Sequence, residues 1–389
     1  MNKTIKIITK PRLIGIELCR GLAAYAVVVI HASALMGYSD ISTDSLTVAI
    51  TAISRFAVPF FLTVSFYFMT SKIYANVNNF YTSFNLKSKW QRLLIPYLCW
   101  SGIYLCFRLI KALSKPDGLA TLFQDPVAIF FLGGASIHLY FVPLLFIGSF
   151  LITIPKYLIG RKVNIKTLVF LFVSSMIVYE LMIVSGNGFQ FGSNCLDNPS
   201  SCYVSFQALL ESALPNAKAN QILRLVLVAF SWLIQCFPYV LLAVCLNHSV
   251  IQKKINLFNK NHVVYFLLFS IFLSIGWIFD TWNLIYFPRS LYEVGTALCL
   301  LIISITLSKS IKENRIIENL GSCSFGIYLM HYLILVIYTT VMDKLAPEFL
   351  KISSTFTMVT LATLTFSTSW IITSLILRQK LVSKLLLGN

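Results

Sequence analysis

The run IELCRGLAAYAVVVIHAS, residues 16–33, carries Glu17, Arg20 and His31 inside an otherwise apolar segment. Histidine is the side chain whose ordinary pKa suits proton transfer near neutrality, and a buried arginine holds phosphates, carboxylates or developing oxyanions. On a helix, Arg20 and His31 fall within about 20° of one another around the axis and ~16 Å apart along it. Glu17 precedes Arg20 by one helical turn, on the same stripe and within ion-pairing reach. Three groups able to bind charge and move protons therefore face one way.

Three further stretches carry residues of the same kind. SRFAVPFFLTVSFYF, residues 54–68, contains Arg55, Pro59 and Ser65; GGASIHLYFVPLLF, residues 133–146, contains His138 and Tyr140; LGSCSFGIYLMHYLIL, residues 320–335, contains His331. Ionisable groups at membrane depth are costly, so each is a candidate for function. A bland role is open to each as well. Glu17 and Arg20 can simply neutralise one another and tie neighbouring helices, and a histidine can sit satisfied in a core.

The elements that must position these residues are membrane helices. The chain has 389 residues, 57% hydrophobic and 12% charged, and a mean hydropathy of +0.79, far outside the range of soluble globular proteins. Its apolar runs are long enough to cross a ~30 Å hydrocarbon core as helices, and the period-2 alternation of barrel strands is missing from them. Ten spans are predicted, at roughly residues 14–36, 46–69, 93–113, 138–155, 167–185, 223–245, 263–281, 290–307, 322–341 and 355–376. The expected fold is thus an all-α integral membrane protein.

With the N-terminus cytoplasmic, the inner segments hold about two thirds of the 31 Lys and Arg residues, among them Lys72, Lys87, Lys89 and Arg92, then Lys156, Arg161, Lys162 and Lys166. That bias predicts both termini inside. It explains the net charge of +17 as topology and contact with anionic lipid, with no call for nucleic acid. On this count Arg20 lies ~9 Å into the membrane and His31 ~25 Å, while Arg55 sits ~13 Å below the outer surface. An N-terminal secretory signal cleaved after Ala34 would discard Glu17, Arg20 and His31, the features that set the segment apart, and is not expected.

Residues 1–389 read as a single membrane domain, with tails at about 1–12 and 377–389 and no appended soluble domain. Most of the nine cysteines lie in apolar spans and read as small buried hydrophobes. Cys195 and Cys202 differ, since they lie in SNCLDNPSSCY, a polar loop expected outside, where oxidising conditions permit a disulfide, and a bridge between them is expected. That loop has no His and no other Cys to complete a zinc site, and no metal site is expected.

The stretches quoted above, in this order, resemble the acyltransferase-3 family of bacterial membrane acyltransferases. Its first helix reads acidic-x-x-Arg, ten residues, then His, on which Glu17, Arg20 and His31 fall. KWQRLLIPY, Lys89 to Tyr97, resembles the start of its third helix. The likeness runs from about residue 12 to 378 and has three departures: Glu17 stands where Asp is usual, Phe66 follows Ser65 where Gly is usual, and Tyr140 takes a position often held by Trp.

The resemblance implies transfer of an acyl group, most often acetyl, from cytoplasmic acetyl-CoA to a hydroxyl of a surface polysaccharide or its lipid-linked precursor. It further implies a bacterial cytoplasmic (inner) membrane location, and no permanently bound cofactor. Under that implication His31 is the general base, or the residue that briefly carries the acyl group. Arg20 orients the donor, Glu17 holds Arg20, and Arg55 steadies charge on the thioester oxygen. His331 supports the site, and His138, Tyr140 and Ser65 bind substrate. A transporter or flippase of a glycan or lipid-linked substrate is the competing expectation, because buried Arg and His also mark transport pathways; the two halves, however, show no inverted repeat.

Overall fold

The computed structural model describes residues 13–37, 44–75, 86–113, 118–123, 125–184, 221–257, 262–282, 287–347 and 354–389. Within them the chain is helical and has no strand. The main helices are α1 (Ile14–Gly37), α2 (Ser45–Ser54), α3 (Ala57–Ala75), α4 (Ile95–Leu113), α5 (Phe141–Gly148), α6 (Ile165–Val184), α7 (Gln221–Asn247), α8 (His262–Trp282), α9 (Arg289–Ser310), α10 (Arg315–Leu345) and α11 (Ser354–Ile376). A short helix, α12 (Lys380–Leu387), follows. Among the described residues nine helical segments are long and apolar enough to cross a membrane; the remaining predicted span, 263–281, is α8, apolar over Val263–Ile278. Cys195, Cys202 and the loop around them lie outside the described residues.

Helix α1 is central, packed against α2, α3, α9, α10 and α11. Its Ala23, Ala24, Val28 and Ala32 are fully buried, the small side chains that let membrane helices approach closely. Elsewhere the bundle turns large apolar residues outward: Phe170 and Leu181 on α6 and Phe266 on α8 are exposed, as lipid-facing surfaces require.

Where the sequence pattern suggests uninterrupted spans, the structure has three breaks, and prolines explain them. A proline removes the hydrogen bond to the carbonyl four residues earlier and its ring crowds that carbonyl. Pro59 points back to Arg55, where α2 ends and α3 begins. Pro96 points back to Arg92, inside a π-helical turn at Trp90–Leu94. Pro155 points back to Leu151, inside the 3-10 turn Ser149–Ile152 that separates α5 from Thr153–Gly160.

Two caps sharpen the arrangement. Asp44 caps α2, its carboxylate accepting from the Thr47 amide at 2.7 Å and from the Thr355 hydroxyl, which joins the starts of α2 and α11. These hydrogen bonds hold the Asp44 carboxyl well below the usual carboxylate range. At the other end of the chain, the predicted tail 377–389 contains α12, which packs on α4. The Trp100 indole donates to the Leu386 carbonyl at 3.0 Å.

Candidate active site

Three histidines from three distant stretches meet. The ring centroids of His138 and His331 are 4.7 Å apart, those of His31 and His331 5.2 Å, and those of His31 and His138 6.0 Å. His31 comes from α1, His331 from α10, and His138 from the loop before α5. That loop turns at Gly133, whose φ of +82° suits glycine, and a Cβ there would stand 2.3 Å from the Tyr140 amide nitrogen.

Aromatic side chains wall the cluster. Tyr332 stands 5.7 Å from His31 and 5.6 Å from His138, Tyr104 stands 5.2 Å from His138, and Tyr328 stands 5.5 Å from His138. The Tyr328 hydroxyl donates to the His138 carbonyl, pinning the loop to α10. The Tyr104 hydroxyl donates to the Leu329 carbonyl at 2.9 Å and accepts from the Leu333 amide at 3.2 Å, two groups on either side of His331.

Hydrogen bonds assign the protons of two rings, because a carbonyl only accepts. His331 Nδ1 lies 2.7 Å from the Tyr328 carbonyl and therefore carries hydrogen. Its Nε2, buried and without a partner, is left as the lone-pair nitrogen. His138 Nε2 lies 3.2 Å from the Leu329 carbonyl and carries hydrogen, so its Nδ1 accepts from the Ser136 hydroxyl at 3.1 Å. Both nitrogens of His138 are thereby committed, whereas His31 Nδ1, like His331 Nε2, has no hydrogen-bond partner. The uncommitted basic nitrogens of the cluster belong to His31 and His331. Among the described residues, no group of three His, Cys, Asp or Glu side chains is arranged to hold a metal ion.

A cavity of about 650 Å³ opens on the other side of Tyr328. Arg20, Lys72, Lys89 and Arg92 bring four cations to its wall, and Ser65 lies beside them. Arg20 is held by Glu17, with Nη1 3.2 Å from Oε2. The carboxylate lies across Gly321 of α10, where a Cβ would stand 2.0 Å from Oε2. Tyr328 and Phe141 close the inner wall of the cavity, and the two rings touch at 5.6 Å.

The structure thus separates the sequence candidates into two groups. His31, His138 and His331 stand together, while Glu17, Arg20 and Ser65 belong to the cationic cavity. Arg55 is exposed at the break between α2 and α3, rather than enclosed with the histidines. Tyr140 is half-buried at the N-terminus of α5. Sequence reasoning passed over Tyr104, Tyr328, Tyr332 and Ser136. Tyr328 and Tyr332 lie three residues before and one after His331 and were open to a search of its helical neighbours, but nothing near Tyr104 in the sequence signals its part. In the sequence Lys72 signals topology alone, while Lys89 and Arg92 also fall in the stretch that resembles the family's third helix.

A family model described as an acyltransferase domain, that of acyltransferase-3, matches residues 13–374. No curated protein matches the chain, and no solved structure matches it. The matched segment spans nearly the whole chain and includes the three histidines together with Glu17, Arg20, Lys72, Lys89 and Arg92; the chain belongs to the acyltransferase-3 family.

Proposed function

We propose that this membrane acyltransferase transfers an acetyl group from cytoplasmic acetyl-CoA to a hydroxyl of a surface polysaccharide or its lipid-linked precursor, in a bacterial cytoplasmic membrane. The observation that carries the reading is a shared wall. Tyr328 lines the cationic cavity on one side and faces His138 at 5.5 Å and His331 at 6.1 Å on the other. A donor whose phosphates rest against Arg20, Lys72, Lys89 and Arg92 points its thioester toward the histidines. The excess of basic residues around this cavity supports a cytoplasmic side for it.

The acceptor hydroxyl reaches the histidines from the opposite side. His31, partly exposed and with an uncommitted ring nitrogen, takes the hydroxyl proton as the oxygen attacks the thioester carbon. The new C–O bond forms, the C–S bond breaks, and the proton passes to the departing thiolate, so that the products are the ester and free CoA. His138, with both nitrogens engaged, orients the cluster, and His331 offers the second lone pair beside the base. Glu17 keeps Arg20 against the donor.

The test is NMR of the host's surface polysaccharides with and without the gene, joined to transfer of carbon-13 acetyl from labelled acetyl-CoA by the purified protein. Ester signals should vanish with the gene and in a His31→Ala protein that inserts at the normal level. Retained acetylation in that variant refutes His31 as the base, and glycan movement without ester formation would establish the flippase.

A further inference from the structure

Helix α12 begins four residues after Ile376, where the membrane-spanning α11 ends, and lies beyond residue 374, where the family match stops. So short a link keeps it at the membrane surface. At about 100° per residue its side chains sort into three stripes. Ser383 and Leu387, each 4% exposed, face the bundle. Lys380 and Lys384 come next around the axis, both exposed. Leu381, Val382 and Leu385 form the outward stripe, at 75%, 37% and 45% exposure. Water penalises three bare aliphatic side chains on one short helix, and acyl chains penalise the two ammonium groups; the boundary between headgroups and acyl chains suits both. The sign of the charge then selects the lipid, since α12 has no acidic residue and Arg378 just ahead of it adds to the same sign.

The far end of the same helix is a wall of the cationic cavity. Leu387 packs over Gly326 of α10, where a Cβ would stand 2.8 Å from Leu387 Cδ2. Gly388 takes a φ of +71° and closes the helix, its amide donating to the Ser383 carbonyl. It lies against the turn that carries Arg92, and a Cβ on it would stand 2.7 Å from the Arg92 Cα. The Asn389 amide donates to the Ser383 carbonyl as well, at 3.4 Å. Leu387, Gly388 and Asn389 thereby line the cavity next to Arg92. One helix thus joins a lipid-facing side to a cavity-lining end.

We propose that α12 is an interfacial helix whose Leu381, Val382 and Leu385 sink among lipid acyl chains while Lys380 and Lys384 bind anionic lipid headgroups, and that this seat holds the cavity wall at Leu387–Asn389 in place. Apolar burial gives the helix its depth, and the lysines make its hold depend on lipid charge. The seat lies outside the histidine cluster and does not depend on which donor the cavity takes.

Full-length protein in nanodiscs of phosphatidylcholine, with and without added phosphatidylglycerol, tests it through hydrogen exchange at the amides of α12 and of Gly388 and Asn389. The wild type should exchange about 10- to 30-fold more slowly in the anionic discs, the gain of two lysines beside an anionic surface. A Lys380→Gln, Lys384→Gln protein should lose most of that difference, and a Leu381→Ser, Leu385→Ser protein should exchange faster in both discs. Equal wild-type rates in the two discs, or a difference that survives removal of both lysines, overturns the proposal. Slower exchange within α12 that leaves Gly388 and Asn389 unchanged overturns the link to the cavity. Protection that appears only in discs holding two copies of the chain assigns the face to a second copy and overturns the lipid seat.

Discussion

Replacing Tyr104 by Phe isolates the part of the histidine cluster that lies farthest from any sequence signal. The ring keeps its edge contact with His138 at 5.2 Å and its contact with Trp100 at 6.1 Å, so packing is preserved. What disappears is a hydroxyl that bridges the Leu329 carbonyl and the Leu333 amide at 2.9 and 3.2 Å. The Leu329 carbonyl still receives His138 Nε2 at 3.2 Å, but the Leu333 amide loses this partner. Two hydrogen bonds are lost, each worth about 0.5–1.5 kcal/mol. The turn of α10 that bears His331 can recover that energy only by shifting, and each 1.4 kcal/mol lost from the reactive arrangement is about tenfold in rate. The expected result is a kcat about 10- to 100-fold lower with the KM for acetyl-CoA unchanged, since the donor cavity lies beyond Tyr328. The assay is steady-state transfer of labelled acetyl by the purified variant, with insertion checked by size-exclusion chromatography. A kcat within twofold of the wild type would refute the claim that Tyr104 positions the histidines.

Four other outcomes follow from the structure. Gly321→Ala places a methyl group against the Glu17 side chain and 2.8 Å from its Cα, so α1 and α10 must part there; it should displace the Glu17–Arg20 pair and raise the KM for acetyl-CoA, and lower kcat as well because the same two helices carry His31 and His331. Glu17→Gln, which keeps the shape and loses only a partly exposed ion pair, should change donor KM just a few-fold. Neutralising Lys72 and Arg92 together should weaken donor binding and flatten its dependence on salt, measured by titration calorimetry at two ionic strengths, whereas acetyl-pantetheine, which lacks the nucleotide phosphates, should bind both forms alike. Asp44→Ala should cost about 1 kcal/mol through the lost helix cap, read as a lower melting temperature in detergent. Because the folded Asp44 carboxyl is held below its unfolded value, its contribution is fully present above the ordinary carboxylate range and fades as pH falls through the folded value; the two melting curves should converge only in strong acid.

The helices and their polar stripe were legible because each depends on local spacing. An apolar run of span length announces itself, and the pairing of Glu17 with Arg20 at 3.2 Å is set by one turn of one helix. The breaks at Arg55, Arg92 and Leu151 were legible in principle too, since each stands four residues before a proline, yet the apolar pattern runs through all three undisturbed and hides them. Residues far apart in sequence are another matter. That His31, His138 and His331 come within 4.7 to 6.0 Å depends on how α1, α10 and the Gly133 turn pack, and in a bilayer, where every apolar face is equally content against lipid, hydropathy carries no record of which helices touch. The family resemblance supplied the candidates without their partners. Hydrogen bonds supply what neither could: His138 spends both ring nitrogens on Ser136 and Leu329, so of three histidines that look alike in sequence, only His31 and His331 retain a nitrogen free to accept a proton.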